Sequence, residues 1–345
     1  MRLLIITQKV DENDDVLGFF HNWLNKLAQK AELFVIANYV GQCNLPSNVK
    51  VYSLGRESKT CRLMRFLKYQ KLLVSFLMEC DGIFFHMCPE YVIAAVLWPK
   101  IFRKKTLLWY THKALNWKLK LAEKLVNKIF TASKESFRLP SKKVEIVGHG
   151  IDSAVFQPRN QKSKIKNQKF SIITVGRIAP VKNLDILIEV AEVLRNKNFY
   201  FGVRIAGAPV YEDDREYLER LKKSVQENQL DDRIEFTGSI PNKNIAEFYQ
   251  SGDLFVNFSD TGSLDKAVLE AMASGIEVLT SNEAFVDVLD GKVFIEKNPE
   301  KIAQRIIKVA NNKGYKTSGL AEYVRDNHNL DNLVSKIISF YEKNI

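Results

Sequence analysis

The chain has 345 residues, of which 46% are apolar and 26% charged, values typical of a soluble globular protein. This length exceeds one ordinary hydrophobic core and predicts two domains of roughly 150 to 200 residues each. The four cysteines show no CxxC and no other metal-ligand spacing, which argues against a disulfide framework or a zinc site and indicates reduced thiols of a cytoplasmic protein.

Neither a signal peptide nor a membrane-spanning helix is expected. The N-terminal run at residues 1–7 has the composition of a strand, and no cleavage site follows it. The most apolar run, residues 82–98, contains His86, Pro89 and Glu90 and is therefore not predicted to span a membrane.

The first half alternates predicted strands with predicted helices, which is the pattern of a doubly wound α/β sheet. The predicted strands are residues 2–7, 33–38, 49–54, 82–86, 106–110 and 144–147. The predicted helices are residues 17–30, 60–79, 91–102 and 117–127.

Two positions in this half are candidates for ligand contact. Gly18 follows an acidic loop at the start of the first helix, where a glycine lets a ligand approach the backbone, although turn chemistry alone also explains it. His112 follows the strand at residues 106–110, and the carboxyl ends of strands form the ligand-facing edge of an open α/β sheet. A structural role is the alternative for this histidine.

The net charge of +11 is carried by the first half. Residues 1–150 hold 24 Lys and Arg against 12 Asp and Glu. On a predicted basic amphipathic helix and its approach, basic residues recur at every third position: Arg56, Lys59, Arg62, Arg65, Lys68 and Lys71. A solvated helix face, an anionic lipid surface and nucleic acid are the three explanations. Nucleic acid is disfavoured because no interleaved surface aromatics of a recognisable module are present.

A domain boundary is predicted near residue 160. His149-Gly150-Ile151-Asp152 and Phe156-Gln157-Pro158 end the first domain, and residues 159–169 form a polar connector. The predicted domains are residues 1–160 and 161–330. The last helix, within residues 331–345, is amphipathic and could pack back onto the first domain.

The second half repeats the alternating plan. Its predicted strands are residues 171–175, 200–206, 233–236, 254–258 and 277–280, and its predicted helices are residues 184–194, 212–227, 242–250, 263–274, 300–311 and 331–342. Arg177 and Lys182 flank the first strand-to-helix turn, where a bidentate guanidinium and a point-charge ammonium can hold a diphosphate. Ordinary surface charge is the alternative. The pairs Asp213-Asp214 and Asp231-Asp232 are expected at surface helix ends rather than in a metal site.

The segment from Ser259 to Gly275 forms the loop and helix of a predicted strand–loop–helix–strand unit. Ser263 is a predicted N-cap and Gly275 a predicted C′ residue of its helix. The free N-terminus of such a helix, at the carboxyl edge of a parallel sheet, is where an anion would bind. Glu270 lies off the apolar stripe and could accept hydrogen bonds from ligand hydroxyls, whereas pairing with Lys266 on a solvated face is the alternative.

Together these motifs resemble the nucleotide-sugar-binding domain of glycosyltransferase family 4. They are Val175-Gly176-Arg177 with Lys182, Ile205-Ala206-Gly207, Phe236-Thr237-Gly238 and Leu269-Glu270-Ala271-Met272-Ala273-Ser274-Gly275. The first half is similar in Gly18, Thr111-His112 and Gly148-His149-Gly150-Ile151-Asp152. The resemblance implies a GT-B fold, an α/β architecture of two Rossmann-like doubly wound domains facing across a cleft, with the acceptor on the first. It also implies metal-independent sugar transfer from a nucleotide donor with retention of anomeric configuration.

The resemblance further implies roles for individual residues. Arg177 and Lys182 would hold the diphosphate, Glu270 the ribose hydroxyls, and the backbone around Ser239 and Ile240 the base. Gly18 would lie near the phosphates and His112 near the transferred sugar. The predicted catalytic residues are His112, Arg177 and Lys182, and the predicted donor-binding residues are Gly18, Arg177, Lys182, Ser239, Ile240, Gly262, Ser263, Leu264, Asp265 and Glu270, with no metal ligand.

Two positions depart from the family pattern. The family places a further glutamate eight residues before Glu270, where this chain has Gly262, and Asp265 is the nearest acidic residue. Lys113 follows His112 where the family often has aspartate. Both departures affect the predicted contacts with the donor sugar.

The predicted function is that of a hexosyltransferase-type glycosyltransferase that moves a sugar from a UDP- or GDP-sugar to a glycan or lipid-linked acceptor, with no cofactor. A nucleotide-sugar-binding protein without turnover and a sugar-nucleotide epimerase on the same fold are the alternatives. The predicted location is the cytoplasm, and peripheral attachment to the inner membrane face through the basic helix stays open.

Overall fold

The computed structural model describes residues 1–14, 16–158, 169–311 and 319–342, and the chain divides into two compact units. The first unit comprises Met1–Asp152 and Asn327–Ile345, and the second comprises Ser153–Asp326. The sequence prediction placed the corresponding limits at residues 160 and 330. Residues 159–168, most of the predicted polar connector, lie outside the described residues.

The first unit contains a seven-stranded parallel sheet in the order β3-β2-β1-β4-β5-β6-β7. Its strands are β1 (Arg2–Val10), β2 (Glu32–Val40), β3 (Val49–Ser53), β4 (Gly82–His86), β5 (Lys105–Trp109), β6 (Lys128–Thr131) and β7 (Val144–Ile146). The helices between them are α1 (Phe19–Ala28), α2 (Arg62–Leu77), α3 (Pro89–Ala94), α4 (Trp98–Ile101) and α5 (Trp117–Leu125).

Strand β1 shows why this sheet is buried on both faces. Leu3 and Ile5 belong to one hydrophobic cluster, while Leu4 and Ile6 belong to another, because successive side chains point to opposite faces. In register, Leu4 lies beside Phe34 of β2 and Ile83 of β4. Strands covered on both faces are near-continuous apolar runs, as the sequence shows here.

The second unit contains a five-stranded parallel sheet in the order β10-β9-β8-β11-β12. Its strands are β8 (Phe170–Val175), β9 (Phe201–Ala206), β10 (Ile234–Gly238), β11 (Leu254–Asn257) and β12 (Glu277–Thr280). The helices are α6 (Leu184–Asn196), α7 (Glu212–Glu227), α8 (Ile245–Gln250), α9 (Lys266–Ala273), α10 (Pro299–Asn311) and α11 (Leu320–His328). A 3₁₀ turn, Pro180–Lys182, precedes α6.

The last helix, α12 (Leu330–Glu342), belongs to the first unit. Leu333, Ile337 and Tyr341 are buried in the same cluster as the apolar residues of α1. The C-terminal segment therefore completes one face of the first sheet.

The structure differs from the sequence prediction in several elements. The helix predicted at residues 91–102 is two short helices, α3 and α4, and Pro99 lies in the first turn of α4, because a proline is tolerated only where a helix begins. Strand β6 was not predicted, and its four residues give too short a run for a clear strand pattern. Helix α11 is short, and its buried apolar residues Leu320 and Val324 are too few to give a clear period.

Among the residues that the structure describes, no helix combines the length and the apolar character needed to cross a bilayer.

Candidate active site

The turn after β8 brings Arg177 and Lys182 to the carboxyl edge of the second sheet. Gly176 donates its N–H to the carbonyl of Ala206 at 3.0 Å, which joins the ends of β8 and β9. A Cβ atom on Gly207 would lie 1.9 Å from the carbonyl oxygen of Gly176, and Gly207 has φ of +146°. Only glycine fits this close approach, so the Gly207 backbone permits the turn that carries both cations.

Lys182 forms an ion pair with Asp265, the residue just before α9. Its Nζ lies 3.2 Å from Oδ1 and 3.3 Å from Oδ2 of the carboxylate. Asp265 also accepts hydrogen bonds from Asn257 Nδ2 at 3.0 Å, from Thr261 Oγ1 at 3.1 Å and from Ser259 Oγ. Burial alone would raise the pKa of Asp265, but the Lys182 ammonium and these donors hold it below its ordinary value.

Arg177 is held by two residues at the start of α7. Its Nε lies 3.6 Å from Asp214 Oδ2, and its guanidinium carbon lies 5.2 Å from the centroid of the Tyr211 ring. Asp214 Oδ2 also accepts the backbone N–H groups of Val210 and Tyr211, at 3.2 and 3.1 Å. The prediction that Asp214 lies at a surface helix end is wrong: its side chain is buried because it both caps α7 and faces Arg177.

Arg177 and Lys182 both line one recess in the second unit. Gly176, Asn257 and Phe258 are among the other residues that line it. The recess therefore presents two cationic side chains at a sheet edge, each with a carboxylate beside it.

The loop between β11 and α9 departs from the predicted cap. Helix α9 begins at Lys266, and Asp265, with extended backbone, is its N-cap residue instead of Ser263. The carbonyl of Ser263 accepts a hydrogen bond from Asn282 Nδ2 at 2.8 Å, and Gly262 has a φ of +60°. This turn keeps Ser263 outside the helix, and the Gly275 prediction holds, with φ of +68° directly after the Ser274 C-cap.

Glu270 is buried in α9, with 6% of its surface exposed. One carboxylate oxygen, Oε2, accepts a hydrogen bond from Tyr249 at 3.0 Å, and Oε1 forms an ion pair with Lys266. Pairing with Lys266 therefore occurs, but not on the solvated face that the alternative assumed. Burial, and then the Glu270 carboxylate, raises the pKa of Tyr249 well above its ordinary value.

The remaining predicted donor residues of the second unit lie in two loops. Ser239 and Ile240 directly follow β10, where Ser239 is exposed and Ile240 half-buried. Gly262 is half-buried and Leu264 is buried in the loop before α9. Because β10 and β11 are parallel strands of one sheet, both loops leave it at the carboxyl edge that carries Arg177.

Gly18 and His112 belong to the first unit. Gly18 is the N-cap residue of α1, and a Cβ atom there would lie 2.4 Å from the carbonyl oxygen of Asp14. His112 is exposed after β5, and its Nδ1 accepts the backbone N–H of Ala114 at 3.0 Å. Gly18 therefore directly precedes α1, and His112 follows β5.

Two residues that organise the site, Asn257 and Asp214, were not assigned to it from the sequence. Asn257, at the end of β11, donates to Asp265, and its Oδ1 accepts the hydroxyl of Thr280 at 3.2 Å. Asp214 orients Arg177 from a helix 37 positions further along the chain. A carboxylate at the third position of a helix is a capping signal, and this signal could have identified Asp214. No local sequence pattern identifies Asn257.

Comparison with known proteins gives a family. A sequence model described as "Glycosyl transferases group 1" matches residues 155–334, slightly more than half of the chain. The putative colanic acid biosynthesis glycosyltransferase WcaL of Escherichia coli (strain K12) is 28% identical over 178 residues, which are 48% of this chain and 42% of WcaL. The chain spans between a third and a half of the length of the first curated relatives it matches.

Solved structures give the fold. Anabaena Alr3699/HepE in complex with UDP and glucose superposes with a TM-score of 0.75 at 13% identity, covering 99% of each chain. Sucrose-phosphate synthase from Thermosynechococcus elongatus gives a TM-score of 0.79 at 14% identity, covering 99% of this chain and 98% of that one. With the two parallel sheets described above, these similarities confirm the predicted GT-B class of α/β fold.

Proposed function

This chain belongs to the group 1 glycosyl transferases, and from that premise we propose that it transfers a sugar from a nucleoside-diphosphate sugar to an acceptor. The observation that carries the proposal is the pair of cations, Arg177 and Lys182, at one recess on the carboxyl edge of the second sheet. Ligands of open α/β sheets bind at this edge. Two cations there match a diphosphate better than a neutral ligand.

The proposed chemistry depends on positively charged side chains placed where negative charge develops during the reaction. As the bond from the sugar to the diphosphate breaks, negative charge grows on the departing phosphate oxygens. Arg177 would donate hydrogen bonds from its planar guanidinium, and Lys182 would supply a point charge. Asp214 and Asp265 hold these two side chains in place before the donor arrives, which lowers the cost of ordering them in the reaction.

The nucleoside would be bound by the neighbouring loops. Glu270 would accept hydrogen bonds from the ribose hydroxyls. One of its carboxylate oxygens already bonds Tyr249 and the other pairs with Lys266, so the ribose would add to these contacts or displace one of them. The backbone at Ser239 and Ile240 would contact the base. Gly18 near the phosphates and His112 near the sugar stay predictions that rest on the family resemblance.

Two finer features belong to the same proposal. Retention of anomeric configuration rests on the resemblance to family 4. Metal independence rests on the two cations, because Arg177 and Lys182 can balance the diphosphate charge that a divalent ion would otherwise balance. A UDP- or GDP-sugar is the proposed donor, and a glycan or lipid-linked molecule the proposed acceptor.

We also propose that the chain associates peripherally with an anionic membrane surface. On α2 the apolar residues Leu63, Met64, Phe66 and Leu67 are between 47% and 66% exposed. A merely solvated helix face does not account for four exposed apolar side chains in its first two turns. Five of the six basic residues are exposed beside them: Arg56, Lys59, Arg62, Lys68 and Lys71.

Arg65, the sixth basic residue, has a different place. Its Nη1 donates to Asn38 Oδ1 at 2.6 Å, and the side chain is half-buried. Arg56 and Lys59 precede α2, which begins at Arg62. The proposed lipid-facing surface is therefore the first three turns of α2 with its approach, without Arg65.

The test of the proposed function is a donor screen. The chain is incubated with a library of UDP-, GDP- and ADP-sugars, with and without glycan and lipid-linked acceptors, and release of nucleoside diphosphate is measured. Acceptor-dependent release from one donor, with a glycosylated product, supports the proposal. Saturable donor binding without release would indicate the binding protein, and conversion of the donor alone to its epimer would indicate the epimerase.

A further inference from the structure

We propose that Asp265 is a positioning residue, which holds the ammonium group of Lys182 toward the donor diphosphate and does not contact the donor sugar. This inference rests on the proposed function of the same site. It addresses the position where the family pattern is broken, because Gly262 replaces the glutamate and Asp265 is the nearest acidic residue.

The carboxylate of Asp265 has no remaining capacity for a sugar hydroxyl. Oδ1 accepts from Lys182 and Thr261, and Oδ2 accepts from Lys182, Asn257 and Ser259. A carboxylate offers about four lone-pair sites, and these donors occupy them. A sugar hydroxyl could bind only by displacing one of these donors. The displaced donor would then lose its hydrogen bond.

The donors that surround Asp265 are themselves fixed by the sheet. Asn257 is the last residue of β11, and its Oδ1 accepts the hydroxyl of Thr280, the last residue of β12. Asn282 donates to Thr261 Oγ1 at 3.1 Å. Asp265 is thus held at the end of two neighbouring strands, which makes it a rigid anchor for a flexible lysine.

Lys182 is the donor that needs such an anchor. A lysine side chain has four rotatable bonds, and ordering them costs conformational entropy. Its Cε lies beside Gly176, 3.6 Å from where a Cβ atom would be, and its side chain is 18% exposed. Asp265 therefore pre-orders a cation that still lines the recess.

Two opposing effects follow when this carboxylate is neutralised. Asp265→Asn frees Lys182 from its anchor, which disfavours diphosphate binding, but it also removes a negative charge from the site, which favours binding. The equilibrium affinity should therefore change little. The transition state depends on the position of the ammonium group, and a displacement of about 1 Å can cost roughly 100-fold in rate.

The experiment compares the native chain with Asp265→Asn, Lys182→Met and the double variant. For each we measure the affinity for UDP, GDP and ADP, the affinity for the matching nucleotide sugars, and the single-turnover rate of nucleoside diphosphate release. Asp260→Asn is the matched control, since Asp260 lies in the same loop but is exposed and pairs with Lys297 and Asn183. Near-native nucleotide affinity in Asp265→Asn also shows that the variant is folded.

The expected result has three parts. In Asp265→Asn the affinities for nucleoside diphosphate and nucleotide sugar each change by less than about threefold, and the rate falls by roughly 10- to 100-fold. In the Lys182→Met background the same substitution lowers the rate by less than about threefold, because the residue acts through Lys182. Asp260→Asn leaves the rate within about twofold of the native value.

Three results would overturn the inference. A loss of affinity confined to nucleotide sugars, or rate effects that multiply fully in the double variant, would make Asp265 a sugar ligand. A native rate in Asp265→Asn would remove any role for it. If the native chain binds none of the three nucleoside diphosphates, the proposed function itself fails and the role of Asp265 with it.

Discussion

The hydroxyl group of Tyr341 donates a hydrogen bond of 2.7 Å to the backbone carbonyl of Ile83, joining the last helix of the chain to the fourth strand. The ring occupies the space where the neighbouring residue, Gly82, has no side chain. A Cβ atom on Gly82 would lie 2.3 Å from the ring carbons of Tyr341. The C-terminal helix is therefore fitted to a strand more than 250 residues earlier in the chain.

This fit makes Gly82 a stability determinant. We expect Gly82→Ala to lower the free energy of unfolding by about 1 to 3 kcal/mol, because a methyl group would force the Tyr341 ring out of its place. Gly202→Ala is the matched control, a strand glycine whose nearest atom is the flexible Cδ of Lys169 at 3.7 Å. Urea unfolding measures both, and equal midpoints for the two variants would contradict the account.

His86 should make the first unit sensitive to mild acid. Its ring is fully buried, stacked on Phe20 at 3.8 Å and surrounded by Phe19 and Trp23. Burial lowers the pKa of His86 to about 3, against an ordinary value of 6.5. Between these two pH values His86 binds a proton in the unfolded chain but not in the folded chain. The free energy of unfolding therefore falls as the pH drops from 6.5 toward 3.

The measurement is the free energy of unfolding at several pH values between 6 and 4.5. In this window His86 should contribute a slope of up to about 1.4 kcal/mol per pH unit, and His86→Phe should remove it. Part of the slope should remain, since burial also lowers the pKa of His328 to about 3. The same slope in the native chain and the variant would show that His86 titrates normally in the fold.

Sugar transfer should not require a divalent metal. Arg177 and Lys182 place two positive charges where the diphosphate is proposed to bind, so we expect the rate after dialysis against EDTA to stay within about twofold of the untreated rate. Addition of magnesium or manganese to the dialysed protein is the control. Loss of activity on chelation, restored by either ion, would refute metal independence.

Vesicle binding should depend on the basic residues of α2. We expect Arg62, Lys68 and Lys71 changed together to Glu to weaken sedimentation with anionic vesicles by at least roughly 100-fold, since each basic residue near such a surface contributes about 1 kcal/mol. The charge-matched control reverses Arg215, Lys222 and Lys223 on α7, all of them exposed.

Salt and lipid charge provide further checks on that surface. Binding of the native chain should fall as ionic strength rises and should be weak with neutral vesicles. Equal pelleting of the α2 and α7 variants, or of the native chain with neutral and anionic vesicles, would leave the basic residues as a solvated face.

The sequence predicted what depends on local pattern. The helical spacing of apolar residues predicted α9 and the position of Glu270 on it. The strand-to-helix turn identified Arg177 and Lys182 as candidates for diphosphate binding. Long-range contacts decided the rest: Tyr249 of α8 donates a hydrogen bond to the buried Glu270, and Lys182, 83 positions earlier, pairs with Asp265, the residue that precedes α9 in place of Ser263. Such contacts join residues far apart in the chain, and periodicity and capping rules carry no information about them.

The most direct measurement is kcat/KM for donor-dependent release of nucleoside diphosphate in Arg177→Ala and Lys182→Ala. Each substitution should remove about 2 to 4 kcal/mol of transition-state binding, a loss of roughly 30- to 1000-fold, with the fold intact. Lys222→Ala is the control, because Lys222 is an exposed lysine paired with Glu219 on α7. Losses of this size in both variants, with a native value in the control, are the predicted result. Near-native kcat/KM in Arg177→Ala and Lys182→Ala would contradict the assignment of the diphosphate site.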